Sequence, residues 1–200
     1  MDIRGMLAAE RAELTALLRD LSDAEWDAPT LCTGWRVRDL IGHLRYDAIT
    51  LSEYFGIAVR HRFSIDGVNN AMAAEGSRRT PVELLAEFES APRTVSRLWP
   101  RLGLADLLVH QQDIRRPLGR HREIPADRLR AVLDRPDPFA RPWRLTKGLQ
   151  FVATDFDWVK GSGPVVRGRG EALALAMVGR PVVLGELEGE GVPELRRRCS

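Results

Sequence analysis

Several acidic and imidazole side chains of this sequence recur at spacings that put them on shared helical faces. His43 lies in residues 33–44, where Val37, Leu40, Ile41 and Leu44 form one apolar stripe of an amphipathic helix. Asp39 stands four residues before His43 and Asp47 four after, so either carboxylate can hold one ring nitrogen and leave the other to act. A second segment repeats the pattern: Asp106 and His110 are four apart, with Asp113 three residues further on. Taken alone, these residues fit two arrangements. One is a hydrogen-bonded structural cluster with solvated acidic faces. The other is a divalent-metal site in which His43, Asp106 and His110 give two nitrogens and one oxygen and leave positions open. In that case Asp39 or Asp47 would orient His43, and Asp113 would orient His110.

The elements that must carry these side chains read as helices. Residues 2–20 predict a first helix, with Ile3, Met6, Leu7, Leu14, Leu17, Leu18 and Leu21 inward. A loop over residues 22–32 contains Pro29. Gly34 then lets the chain turn, Thr33 can cap, Trp35 is expected to be structural at the helix entry, and the second helix runs to about Val59. Residues 64–79 read as a loop with one helical turn near Ala71. Thr80-Pro81-Val82-Glu83 is a capping box with proline at the first helical position. It opens a third helix carrying Val82, Leu84, Leu85, Phe88, Val95, Leu98 and Trp99, kinked or broken at Pro92 and ended by Pro100 and Gly103. The fourth runs from about Leu104 to Leu118. Four antiparallel helices with short links make a four-helix bundle, a scaffold whose metal sites form between facing helices.

Beyond residue 120 the texture changes. Residues 121–148 read as a linker with a short helix, and residues 149–200 as a small α+β domain. Its expected parts are a strand around Phe151, a turn at Gly161-Ser162-Gly163-Pro164, a strand from Val165, a helix over residues 171–178, and a strand over residues 182–187.

The chain of 200 residues is 44% hydrophobic and 29% charged, as in soluble globular proteins. Its formal charge of +2 comes from 30 basic and 28 acidic residues, which gives no electrostatic reason to expect nucleic acid or a membrane surface as partner. No apolar run reaches the length of a membrane span, and the first residues lack a signal-peptide core, so the expected location is the cytoplasm. Cys32 and Cys199 are too few for a disulfide framework. Cys32 fits a small buried side chain better than a reactive one, and neither cysteine is in helical register with the candidate ligands.

A resemblance makes the reading specific. Leu31-Cys32-Thr33-Gly34-Trp35-Arg36-Val37-Arg38-Asp39-Leu40 followed by His43-Leu44 resembles the second-helix signature of the mycothiol-dependent maleylpyruvate isomerase family, within the DinB-like metal-binding four-helix superfamily. Asp106-Leu107-Leu108-Val109-His110 with Asp113-Ile114 and Leu118-Gly119 resembles its fourth-helix motif. Asp157-Trp158, residues 161–164, Val166, Gly168 and Gly179-Arg180 resemble its C-terminal domain. The resemblance implies a mainly α fold, a DinB-like bundle followed by a small α+β domain. It also implies a zinc-type site on His43, Asp106 and His110, with Asp106 where the isomerase has glutamate.

The resemblance further implies a low-molecular-weight thiol, mycothiol or a similar one, whose sulfur binds the metal and attacks an electrophilic carbon. Arg180 would grip the carboxylate of a small acidic substrate bidentately; read by itself, Arg180 equally suits a helix C-terminal charge. The function implied is isomerisation or S-transfer by a metal- and thiol-dependent enzyme, as a monomer or homodimer. The alternatives are a metal-binding stress or regulatory protein without turnover, and a metal-assisted hydrolase.

Overall fold

The computed structural model describes residues 2–199, and the chain divides into two compact units, Met1–His121 and Arg122–Ser200. It is mainly helical, and no helix among the described residues is long and apolar enough to cross a membrane.

The first unit begins with α1 (Ile3–Asp20) and the short α2 (Asp23–Trp26), followed by α3 (Val37–His43) and a 3-10 turn, Leu44–Asp47. Then come α4 (Leu51–Arg60), α5 (Ile65–Gly76), α6 (Pro81–Ser90), α7 (Thr94–Leu98) and α8 (Pro100–Arg115). Leu14, Leu17 and Leu18 of α1 pack with Leu40 and Ile41 of α3, Leu84 and Phe88 of α6, and Leu107 and Ile114 of α8. Each such side chain taken from water is worth about 1.5–3 kcal/mol, so these four helices hold the bundle together.

Local chemistry sets the element boundaries. The expected second helix is broken at residue 44, and a new helix starts where Thr50 accepts from Glu53 N–H and Glu53 answers Thr50 N–H at 2.8 Å. That capping box is the same signal as Thr80/Glu83, which opens α6 as expected. Residues 65–76, expected as a loop, form a 12-residue helix. Its pattern is faint because small residues make its contacts: a Cβ on Gly42 would sit 2.6 Å from the Gly76 backbone, so the glycine pair lets α5 lie close against α3. Pro92 breaks the third helix, with Arg93 in the left-handed region at φ 59°. Pro100 opens α8 rather than ending the helix before it, since proline at the first position gives up only an N–H that has no helical acceptor. Val82, Leu98 and Trp99, expected inward, are exposed.

The second unit contains α9 (Ala126–Asp134), a 3-10 turn (Pro138–Ala140), α10 (Pro142–Thr146), β1 (Gln150–Ala153), β2 (Val159–Gly161), β3 (Val165–Gly168), α11 (Gly170–Met177), a second 3-10 stretch (Pro181–Glu186) and α12 (Val192–Arg198). The stretch expected as a linker thus carries two helices and belongs to this unit. The sheet order is β2-β1-β3: Phe151 pairs with Lys160 antiparallel and with Val166 parallel. α11 is buried along its length apart from Glu171, and α9 packs on it. Residues 182–187, expected as a strand, are mostly 3-10, opened by Pro181.

Candidate metal centre

α3 and α8 carry the site. Gly34 at φ 80° turns the incoming loop, and the Arg36 backbone and guanidinium donate to Asp39 Oδ2 at 2.9 and 3.0 Å, tying down the start of α3. Val37, Leu40, Ile41 and Leu44 are buried, so the turn containing His43 is fixed against the core. On α8, Leu104, Leu107 and Leu108 do the same for Asp106 and His110.

The two helices bring the expected residues together. His43 Nε2 and His110 Nε2 lie 3.8 and 3.3 Å from the same oxygen, Asp106 Oδ1. The three donor atoms all fall within 4.8 Å of one another. Metal–donor distances of about 2.0–2.1 Å in a tetrahedral site put ligand atoms roughly 3.3–3.5 Å apart. This donor set therefore fits one divalent ion. The imidazoles meet edge to face, with ring centroids 5.1 Å apart.

Neighbouring groups fix how the donors point. His110 Nδ1 donates to Asp113 Oδ2 at 2.9 Å, as expected, which turns Nε2 toward Asp106. Asp113 is fully buried. Tyr46, which the sequence reading passed over, donates its hydroxyl to Asp106 Oδ2 at 2.8 Å and leaves Oδ1 to the two imidazoles. Burial, then Asp106 and Asp47, push that phenol up, so it stays a donor. The half-buried Trp35 ring lies 5.4 Å from the His43 ring, tilted by 40°, and so lines the site as well as packing on the core.

The expected partners of His43 are engaged elsewhere. Asp39 takes Arg36 and Ser77, and Asp47 takes Ser96 and Arg11, because the 3-10 turn swings residue 47 off the helical face. The carboxylate facing His43 is Asp106 instead.

Cys32 also differs from expectation. Its Sγ lies 3.7 Å from His110 Nδ1 and donates to Asp113 Oδ2 at 3.2 Å, so the thiol borders the site. A backbone bond from Leu31 N–H to Asp113 C=O, 3.0 Å, pins the loop to α8, and helical spacing cannot reveal such a contact. Arg180 lies in the second unit, just beyond α11, and donates to the Val178 carbonyl at 3.1 Å.

The electrostatics favour a cation at this point. Burial by itself would raise the Asp106 carboxyl, but His110 and His43 outweigh it and hold it well below the usual carboxylate range. Burial by itself would lower His110, but Asp106, then Asp113 and Cys32, outweigh it and hold the imidazole well above its ordinary value. A field that stabilises positive charge so strongly suits a divalent ion on the same donors.

Comparison with known proteins bears on the fold that carries these residues. Residues 7–95 match the family model of the mycothiol maleylpyruvate isomerase N-terminal domain, a span that includes Cys32, His43 and Tyr46 and stops before Asp106. No curated protein matches the sequence. Two solved structures are similar in fold, each at 16% identity over 95% of this chain and 93% of the other. A histidine-to-alanine variant of the mycothiol-dependent maleylpyruvate isomerase has a TM-score of 0.65, and that enzyme itself 0.60. Residues 7–95 are thus similar in sequence to the N-terminal domain of mycothiol maleylpyruvate isomerase, and nearly the whole chain shares that enzyme's fold.

Proposed function

We propose that this protein is a metal-dependent enzyme of the mycothiol-dependent maleylpyruvate isomerase type, acting in the cytoplasm with a low-molecular-weight thiol on a small electrophilic acid. One observation carries the reading: two imidazole Nε2 atoms, from helices far apart in sequence, converge on one carboxylate oxygen of the partly buried Asp106. His43, Asp106 and His110 would hold the ion, a set of two imidazoles and a carboxylate that suits zinc and, on ligand type alone, also iron, nickel or manganese. Such an ion with an open position keeps a thiol sulfur deprotonated at neutral pH, where a thiol with pKa near 8.5 is otherwise only a few per cent nucleophile.

The remaining work belongs to the chain. Asp113 sets the tautomer and orientation of His110. Tyr46 fixes the rotamer of Asp106, so the shorter carboxylate presents a single oxygen to the site. The rings of Trp35 and Tyr46 stand against His43 and keep bulk water from its flank. Arg180, assigned by resemblance, would grip the substrate carboxylate as a fork of N–H donors.

The test is a thiol titration of cobalt-loaded and metal-stripped protein, first with mycothiol and then with a simpler thiol. The expected result is a sulfur-to-cobalt charge-transfer band that saturates only in the loaded protein. Identical behaviour of loaded and stripped protein would remove the thiol-dependent reading. The bundle would then be a metal-binding module without this turnover.

A further inference from the structure

Helix α4 carries two apolar faces, and the bundle uses only one of them. Tyr54, Ile57 and Ala58 pack with Val68 and Met72 of α5. Leu51, Phe55 and Val59, each four residues from the next, form a second ridge that is 49%, 60% and 49% exposed. Phe63, 64% exposed, meets Phe55 edge to face with ring centroids 6.0 Å apart. Those fractions leave about 400 Å² of apolar surface open, a size that on a monomer is often functional.

The backbone holds Phe63 at this place against its own preference. Arg62 N–H donates to the Val59 carbonyl at 3.0 Å and Phe63 N–H to the Ala58 carbonyl at 2.7 Å. This pair of bonds closes a helix over a left-handed residue that is usually glycine. Here Arg62 and Phe63 themselves take φ 51° and 58°, where glycine would carry no such strain. The strained turn sets one exposed aromatic ring against another.

We propose that this face docks a second copy of the chain, with the two α4 helices antiparallel about a two-fold axis between Phe55 and Gly56. Shape, charge and area each favour a copy. Beside the ridge runs a furrow at Ser52 and Gly56, where an added Cβ on Gly56 would meet only the Arg60 guanidinium, 3.8 Å away. Antiparallel pairing seats Phe55 on the partner's Gly56 and Val59 on the partner's Ser52, ridge into furrow on both sides of the axis. Glu53 lies in the first turn of α4 and Arg60 in the last. Arg60 is exposed and in no ion pair among the described residues. In the pair, each Arg60 lies within reach of the partner's Glu53, and the two helix dipoles oppose. The four apolar side chains of each copy together cover up to about 800 Å², and their polar flanks bring the total to about 1,000 Å², the lower bound of a specific interface. The dimer is therefore a weak one, in the micromolar range. This inference is independent of the metal centre.

Sedimentation equilibrium of the full-length protein, from low to high micromolar concentration, tests it. Wild type should pass from monomer to dimer. Phe55→Glu should raise the dissociation constant at least about 30-fold, as loss of a central aromatic anchor does. Phe63→Gly keeps the turn, removes the ring and should weaken the dimer in the same direction; it also serves if Phe55→Glu does not fold. Arg60→Glu sets like charges against each other and should weaken pairing at least about 10-fold, and adding Glu53→Arg to it should restore the dimer. Circular dichroism checks that each variant keeps its helices.

Wild type that stays monomeric at the highest concentration overturns the proposal and leaves the face to a different partner. A dimer that tolerates both Phe55→Glu and Phe63→Gly overturns it too, because the interface is then elsewhere. Failure of the folded charge exchange to restore what Arg60→Glu removes overturns the antiparallel pairing.

Discussion

The first unit buries two polar clusters, and they are built on opposite principles. Around Asp47, both donors of Ser96 close on the carboxylate at bonding distance, and a buried guanidinium supplies the counter-charge. Ser96 N–H and hydroxyl donate to it at 2.8 and 2.5 Å, while Arg11 pairs with it at 3.6 Å and donates to the Phe88 carbonyl. Around Asp106, the two imidazole nitrogens stand back at 3.3 and 3.8 Å, beyond good hydrogen-bond range. The first cluster completes its own valences and staples α1 and α7 to the turn after α3. The second arranges its donors around a common point. A buried histidine beside an aspartate is therefore weak evidence for function until the spacing distinguishes these two patterns.

The largest expected effect breaks the stapling cluster. Asp47→Ala leaves Arg11 buried without its counter-charge and should cost about 3–5 kcal/mol in urea unfolding. The fraction that remains folded should bind metal with wild-type affinity. A large loss of metal affinity in that variant would merge the two clusters into one.

His110→Ala should do the reverse. A three-ligand site has little redundancy, so metal affinity should fall by more than the ~100-fold typical of outer partners, while the stability of the metal-free protein changes far less. Calorimetric titration with zinc reads the first, and urea unfolding of the stripped protein reads the second. Tyr46→Phe is milder. It frees Asp106 Oδ2 from its donor and should weaken metal binding about 10-fold. Unchanged affinity would mean that Asp106 is held by packing alone.

Much of this was legible in the sequence. His43, Asp106 and His110 could be found because each sits on a regular helix, where four-residue spacing fixes the face. Tyr46 follows His43 by three residues and was within reach of the same argument. Asp47 misled because the chain tightens to a 3-10 turn at Leu44, which no residue type announces. Cys32 misled because its place is set by a loop-to-helix backbone bond between residues distant in sequence. The bundle was legible from its large apolar residues, and α5 was not, since glycine and alanine make its closest contacts. The Pro181–Glu186 stretch reads as a strand because an apolar run with β-branched residues satisfies both periodicities when it is short.

The smallest expected effect concerns a third carboxylate that serves its own helix. Burial alone would raise Asp39, but Arg36 and Ser77 outweigh it and hold the carboxyl below its usual 3.8. A depressed carboxyl stabilises the fold fully above its unfolded value and loses that contribution as pH falls through the folded value. Asp39→Asn should therefore cost about 1 kcal/mol at pH 7, a modest figure because the Arg36 side chain is 41% exposed. The difference from wild type should shrink below about pH 4. Urea midpoints at the two pH values check this. A difference that grew on acidification would reverse the assignment.

The central claim is that His43, Asp106 and His110 form one metal centre, and a cobalt titration followed by visible absorption tests it most directly. Full-length protein purified without immobilised metal should bind one cobalt per chain, with the intense d–d bands of tetrahedral coordination. The His43→Ala, His110→Ala double variant should fold and show neither the stoichiometry nor the bands. Equal cobalt binding and equal spectra in the two proteins would contradict the account.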